Sequence, residues 1–216
     1  MGNVRPEQLL LYAVTDSTWL DGRSLPECVR TAIDAGATFV QLREKRASFD
    51  QKVELARAIV PLCRAAGVPF VIDDDVDVAL AAGADGVHVG QDDMACAEAR
   101  RLLGPDAIVG VSAHNVAEAL AAQAQGADYL GSGALVATAT KSDVTPLPPA
   151  ELAAICAAVD IPVVGIGGLN ARTIPQFKGL GCAGAAVVSG IFAADDIAAA
   201  TRELRQVCEN TFGGKQ

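Results

Sequence analysis

The chain reads as an α/β protein, a single (β/α)8 TIM barrel spanning residues 1–216. Three observations predict it. Eight short runs of aliphatic and β-branched residues recur along the chain, helical segments lie between them, and a small residue followed by Gly repeatedly closes a helix ahead of the next run. Strict strand–helix alternation calls for parallel strands joined by right-handed crossovers, and eight such units favour closure over an open doubly wound sheet. No linker-like or low-complexity segment interrupts the pattern, so one domain is expected.

The first strand is Leu10-Leu11-Tyr12-Ala13-Val14. The next three are TFVQL, PFVI and GVHV, entered from Asp34-Ala35-Gly36-Ala37, Ala65-Ala66-Gly67-Val68 and Ala82-Gly83-Ala84-Asp85. Gly tolerates the left-handed conformation that ends a helix, which makes these tetrapeptides stop signals. The fifth strand is Ala107-Ile108-Val109-Gly110-Val111. The sixth is YLGS after Gln125-Gly126-Ala127-Asp128, the seventh Pro162-Val163-Val164-Gly165-Ile166, and the eighth AGAAVV after Gly179-Leu180-Gly181-Cys182. The clearest helix runs from Ser48 to Ala66, where Val53, Ala56, Ile59, Val60 and Cys63 share one face at helical spacing.

Composition narrows the function. Apolar residues make up 51% of the chain and aromatics only 4%, so a sizeable core must be built from Ala, Val, Leu and Ile. The net charge of −9 argues against nucleic acid and against an anionic membrane surface, although a site's local field can still hold an anionic small molecule. Six cysteines without a CxxC pair read as buried, reduced thiols rather than a disulfide framework or zinc site. The N-terminal apolar run is too short for a signal peptide and no long apolar stretch follows, so a soluble, cytoplasmic protein is expected. Self-association stays open.

Barrel enzymes of this kind work at the C-terminal strand ends, and the polar residues cluster there. At the second strand end, Gln41, Arg43 and Lys45 alternate onto one face; Arg can grip a phosphate bidentately and Lys adds a point charge. After the third strand, Asp73-Asp74-Asp75 repel one another unless a cation, solvent or a helix N-terminus relieves them. A carboxylate of the fourth strand end, Gly90-Gln91-Asp92-Asp93, can approach Asp74, and two carboxylates with waters and substrate phosphates make an ordinary Mg2+ arrangement. His88 reads as a satisfied core histidine. The small-residue loop Gly131-Ser132-Gly133 to Thr138-Ala139-Thr140-Lys141 looks like a substrate loop. The Gly-rich ends Gly165–Asn170 and Val187–Ile191 offer backbone N–H groups where this fold commonly binds phosphate.

Together these motifs resemble the thiamine phosphate synthase family: YAVTD, VQLREK, DDVDVAL, ADGVHVGQDD, GVSAH, ADYLGSG with TATK, VGIGGLN and VVSGIF follow one another along nearly the whole chain. The resemblance implies that the nitrogen of a thiazole phosphate, or its carboxylated tautomer, is alkylated by hydroxymethylpyrimidine diphosphate, releasing thiamine phosphate and pyrophosphate. It implies that Gln41, Leu42, Arg43, Glu44, Lys45, Asp73, Ser112 and Lys141 hold the pyrimidine diphosphate, with Arg43, Lys45, Lys141 and Ser112 serving catalysis. Asp74 and Asp93 would bind Mg2+, and Thr138, Ala139, Thr140, Gly168, Val188 and Ser189 the thiazole phosphate. Two positions depart from the pattern. Asp73 stands where the family usually has Asn, and an ionised Asp can only accept a hydrogen bond. Ala134 and Ala137 stand where prolines are common. A related thiazole tautomerase and a non-catalytic phosphate-binding barrel are the rival readings.

Overall fold

A computed structural model describes residues 4–136 and 146–213. Eight parallel strands close into a barrel in chain order: β1 Leu11–Val14, β2 Phe39–Leu42, β3 Phe70–Asp73, β4 Gly86–Val89, β5 Ile108–Ser112, β6 Tyr129–Ser132, β7 Val163–Ile166 and β8 Gly184–Val187. β8 pairs back onto β1 with Tyr12 opposite Ala186. The helices are α1 Leu25–Asp34, α2 Phe49–Ala66, α3 Val76–Ala82, α4 Cys96–Leu103, α5 Val116–Ala124, α6 Pro149–Ala158, the single turn α7 Ser189–Phe192, and α8 Ile197–Phe212.

The two-residue period of the strands divides the core in two. Tyr12, Phe39, Val71, Ile108, Tyr129, Val164 and Ala186 point inward and form the barrel interior. Their neighbours Leu11, Val40, Ile72, Val87, Val109, Leu130 and Val163 point outward against the helices. Two tyrosines fit inside so small a barrel because inward positions nearby are glycine: a Cβ on Gly110 would lie 2.2 Å from Tyr129 Cζ.

α2 begins and ends where its sequence says it should. Ser48 accepts from the Gln51 N–H and the Gln51 side chain accepts from the Ser48 N–H, a reciprocal capping box, and Gly67 closes the helix at φ 66°. Val53, Ala56, Ile59 and Cys63 are buried along its inner face, with Val60 half-buried at the margin. Among the described residues all six cysteines are free thiols, five buried and Cys156 part-exposed with its Sγ 3.8 Å from that of Cys182.

Two elements differ from expectation. Between β7 and β8 the chain forms only the 3-10 turn Ile174–Phe177, because Gly179 and Gly181 take positive φ values of 79° and 93° before a helix can propagate. β3 runs one residue further than its apolar run, so Asp73 lies on the strand, next in the inward series after Val71.

Candidate active site

The C-terminal ends of β2, β3 and β4 build a charged rim. Asp73, Asp74 and Asp75 are adjacent in sequence but do three different things. Asp75 caps α3, its side chain accepting from the Val78 N–H at 3.2 Å, and its carboxylate pairs with Lys52 at 3.3 Å. Asp74 sits at φ 62°, one of two non-glycine residues in the left-handed region among those described. From there its carboxylate makes hydrogen-bond contact with Asp93 and with Lys45, which it shares with Asp73. Asp73 points inward, its side chain only 12% exposed, 3.1 Å from Lys45 Nζ and 3.6 Å from Arg43 Nε.

Electrostatics separate the three carboxylates at the rim. Burial raises the pKa of Asp73 and the charge of Asp74 raises it further, to about 6, against the opposing pull of Lys45 and Arg43. Burial works against ionised Asp74 as well, but hydrogen bonds from Lys45 and Asp93 win and hold it below the usual carboxylate range. Asp93 is pushed up by its desolvation and by Asp74, while the Gly90 N–H donating to it at 2.8 Å pulls the other way. Lys45 is held more firmly protonated: its desolvation is outweighed by the two aspartates.

Of the QLREK run, Gln41, Arg43 and Lys45 turn towards the axis. Leu42 buries its side chain in the outer layer, and the Glu44 carboxylate accepts from Thr15 Oγ1 at 3.0 Å. Ser112, at the end of β5, is half-buried with its Oγ 3.0 Å from His88 Nε2. His88 is inward, bonded through both ring nitrogens and kept neutral by burial, which lowers its pKa to about 4 despite the charge of Asp74. Gln91 ties this loop to β5 by donating to the Ser112 carbonyl at 2.6 Å.

On the opposite side of the mouth, Gly168 takes φ 68°, Val188 precedes α7 and Ser189 opens it. These two loops touch, since a Cβ on Gly190 would lie 3.4 Å from the Leu169 carbonyl oxygen. Thr138, Ala139, Thr140 and Lys141, with Ala137, lie outside the described residues. A cavity of about 220 Å3 opens at the rim, lined by Leu42, Glu44, Lys45, Lys52, Asp73 and Asp74. A larger hollow of about 380 Å3 lies between Asn170–Arg172 and the α8 residues Ala200, Glu203 and Leu204, and none of the acidic rim residues faces it.

A family model described as thiamine monophosphate synthase matches residues 11–191. The chain belongs to this family. It is 51% identical to thiamine-phosphate synthase of Chloroflexus aurantiacus over 93% of both chains. The corresponding protein of Moorella thermoacetica is 46% identical, the match covering 94% of this chain and 97% of the relative. Among solved structures, thiamine phosphate pyrophosphorylase from Pyrococcus furiosus superposes with a TM-score of 0.88 at 38% identity, covering 96% of this chain and 99% of that one. The thiamine-phosphate synthase assignment makes the protein a transferase of thiamine biosynthesis. Among the described residues no helix is long and apolar enough to cross a membrane.

Some residues at and beneath this rim were not singled out from sequence. Asp16 lies 3.7 Å from Arg43 Nη1, and Lys52 lines the rim cavity. Tyr12 and Tyr129 meet hydroxyl to hydroxyl at 2.8 Å beneath the rim. The signal for Asp16, Tyr12 and Tyr129 was present, since they fall inside YAVTD and ADYLGSG, but their partners lie across the barrel.

Proposed function

We propose that the rim binds the pyrimidine diphosphate through Arg43, Lys45 and Ser112, together with Lys141, and the thiazole phosphate through Gly168, Val188 and Ser189 with Thr138, Ala139 and Thr140. The observation that carries this reading is the convergence of two cations, three carboxylates and a hydroxyl at the ends of four neighbouring strands in a chain of this family. Gln41 supports the site from below, and Leu42 and Glu44 contribute through the backbone of the same strand end.

Asp74 and Asp93 would hold Mg2+. Their carboxylates already meet, and the desolvation and like charge that raise Asp93 are what a hard divalent cation relieves. No group of three or more His, Cys, Asp or Glu side chains suited to a metal occurs among the described residues, so the remaining ligands would be phosphate oxygens and water. When bound, the ion neutralises charge on the departing diphosphate.

The residues of the chain then have distinct tasks. Arg43 and Lys45 must exchange Asp73 for diphosphate oxygens, and in doing so they stabilise the charge that builds as the C–O bond breaks. Ser112 donates a hydrogen bond to the same group. The pyrimidine carbon left behind is a benzylic-type cation stabilised by its own ring, and the thiazole nitrogen attacks it. No protein nucleophile is needed. Pyrophosphate release from the purified protein with both substrates and Mg2+ tests the reading. Release that requires both substrates supports it; turnover of the thiazole alone would make the protein a tautomerase, and binding without release a non-catalytic barrel.

A further inference from the structure

Beneath the rim, five polar side chains form one continuous hydrogen-bonded line across the barrel. Gln41 Nε2 donates to Tyr12 Oη at 2.8 Å, the Tyr12 and Tyr129 hydroxyls are 2.8 Å apart, Tyr129 Oη is 3.0 Å from His88 Nδ1, and His88 Nε2 is 3.0 Å from Ser112 Oγ. The first four members are at most 9% exposed, so the line is closed to water until it reaches Ser112. The backbone is cut to admit the rings: a Cβ on Gly131 would lie 3.0 Å from His88 Cε1.

With the Gln41 amide nitrogen turned to Tyr12, one proton order gives every hydrogen in the line an acceptor. An amide nitrogen only donates, so Tyr12 Oη accepts from Gln41 and passes its own single proton to Tyr129. Tyr129 Oη, having accepted, gives its proton to His88 Nδ1. An imidazole that accepts at Nδ1 carries its hydrogen on Nε2, and that hydrogen goes to Ser112 Oγ. The serine oxygen is thereby occupied from below, and its own proton is the free end of the line, at the rim. The reverse order would turn that proton inward and leave oxygen lone pairs facing an anion.

We propose that His88 is a positioning residue for the alkyl transfer: fixed by Tyr129 as the Nε2–H tautomer, it occupies the acceptor side of Ser112 and turns the serine proton towards an oxygen of the diphosphate. This rests on the reaction assigned above. Gln41 and the two tyrosines set the polarity, and His88 delivers it.

The chain has two histidines, which makes imidazole 15N NMR at neutral pH a direct test, with His114→Gln assigning the signals. His88 is expected to show a protonated Nε2 and a bare Nδ1, and Tyr129→Phe to spread it over both tautomers. An Nδ1–H tautomer or an imidazolium in the wild-type protein would overturn the proposal. In kinetics, His88→Phe is expected to lower kcat about tenfold with the KM for thiazole phosphate unchanged, as for a misdirected donor to developing charge. His88→Gln, which retains a donor for Ser112, should recover part of that loss. In a Ser112→Ala background His88→Phe should cost nothing more; an equal loss in both backgrounds means that His88 does not act through Ser112. The tautomer measurement needs no turnover, and its only assigning substitution, His114→Gln, lies at an exposed residue outside the line. A wild-type protein that releases no pyrophosphate therefore counts against the reaction assigned above, while the spectrum still decides the order of the line.

Discussion

Asp73 is ionised in the metal-free protein only against resistance. Its inward place on β3 costs solvation, Asp74 adds like charge, and two cations do not make up the difference, leaving its pKa near 6 instead of 3.8. A raised native pKa means that the folded state holds the proton more tightly than the unfolded chain, so ionised Asp73 opposes folding above that pH and ceases to do so below the unfolded value. Asp73→Asn in metal-free protein should therefore raise Tm, with the gain growing as pH rises from 3.8 through about 6 and level beyond. The same change removes one of the two carboxylates paired with each of Arg43 and Lys45, so pyrimidine diphosphate should bind more tightly, most visibly above pH 6 where Asp73 would be charged. Equal Tm and equal affinity at every pH would make Asp73 a bystander. Its neighbour should behave oppositely. Asp74→Asn or Asp93→Asn removes a carboxylate from the proposed metal pair and should lower turnover by roughly a hundredfold or more. Asp93→Asn should fold normally, since it removes like charge from the rim, whereas Asp74→Asn gives up the bonds that hold Asp74 ionised and should fold with a slightly lower Tm. Near-normal turnover at low Mg2+ in either variant would refute the metal assignment.

The elements are tied together at the other end of the barrel by a device that repeats with the strands. The residue just before each of β2, β4 and β6 accepts a backbone N–H from the start of the strand before it. Thr38 Oγ1 takes the Leu11 N–H at 2.9 Å, Asp85 the Phe70 N–H at 2.8 Å, and Asp128 the Val109 N–H at 2.8 Å. Asp128 is buried and also pairs with Arg100 at 2.5 Å, fastening α4 to β6. Asp128→Ala leaves a part-buried guanidinium and a strand N–H without this acceptor, at a cost of about 2–4 kcal/mol. Urea denaturation should show that loss, while kcat of the folded protein stays within about twofold because stability and chemistry occupy opposite faces of this fold. A large fall in kcat would mean that the two faces are coupled. The glycines of these tetrapeptides were legible in the sequence, because helix termination is local. The roles of Thr38, Asp85 and Asp128 were not, since each acceptor's partner lies 15 to 27 residues back on another strand.

At the scale of the whole molecule, strand order and rim position could be read from the chain because both depend on short periods: helix stops every few tens of residues and a two-residue alternation within strands. What crosses the axis could not be. Tyr12 and Tyr129 are 117 positions apart, and nothing local marks their contact; nor does local pattern show that Asp73 pairs with the two cations proposed to bind a diphosphate. Those pairings predict how ligands should stabilise the barrel. Mg2+ alone meets an Asp74 already engaged by Lys45, and pyrophosphate alone meets Arg43 and Lys45 already engaged by Asp73. Together they would satisfy both exchanges, because Lys45 would leave the aspartates for phosphate as the ion took its place on them. Thermal shift should thus show small effects for either ligand singly and a larger one for the pair, exceeding the sum. At a hundredfold excess over Kd the stabilisation is about 2.7 kcal/mol, or roughly 5–10 °C for a domain of this size. Asp93→Asn should abolish the synergy and leave any shift from pyrophosphate alone. Additive shifts in the wild type, or a synergy that survives in Asp93→Asn, would show that metal and diphosphate bind at separate places and that the rim is not one site.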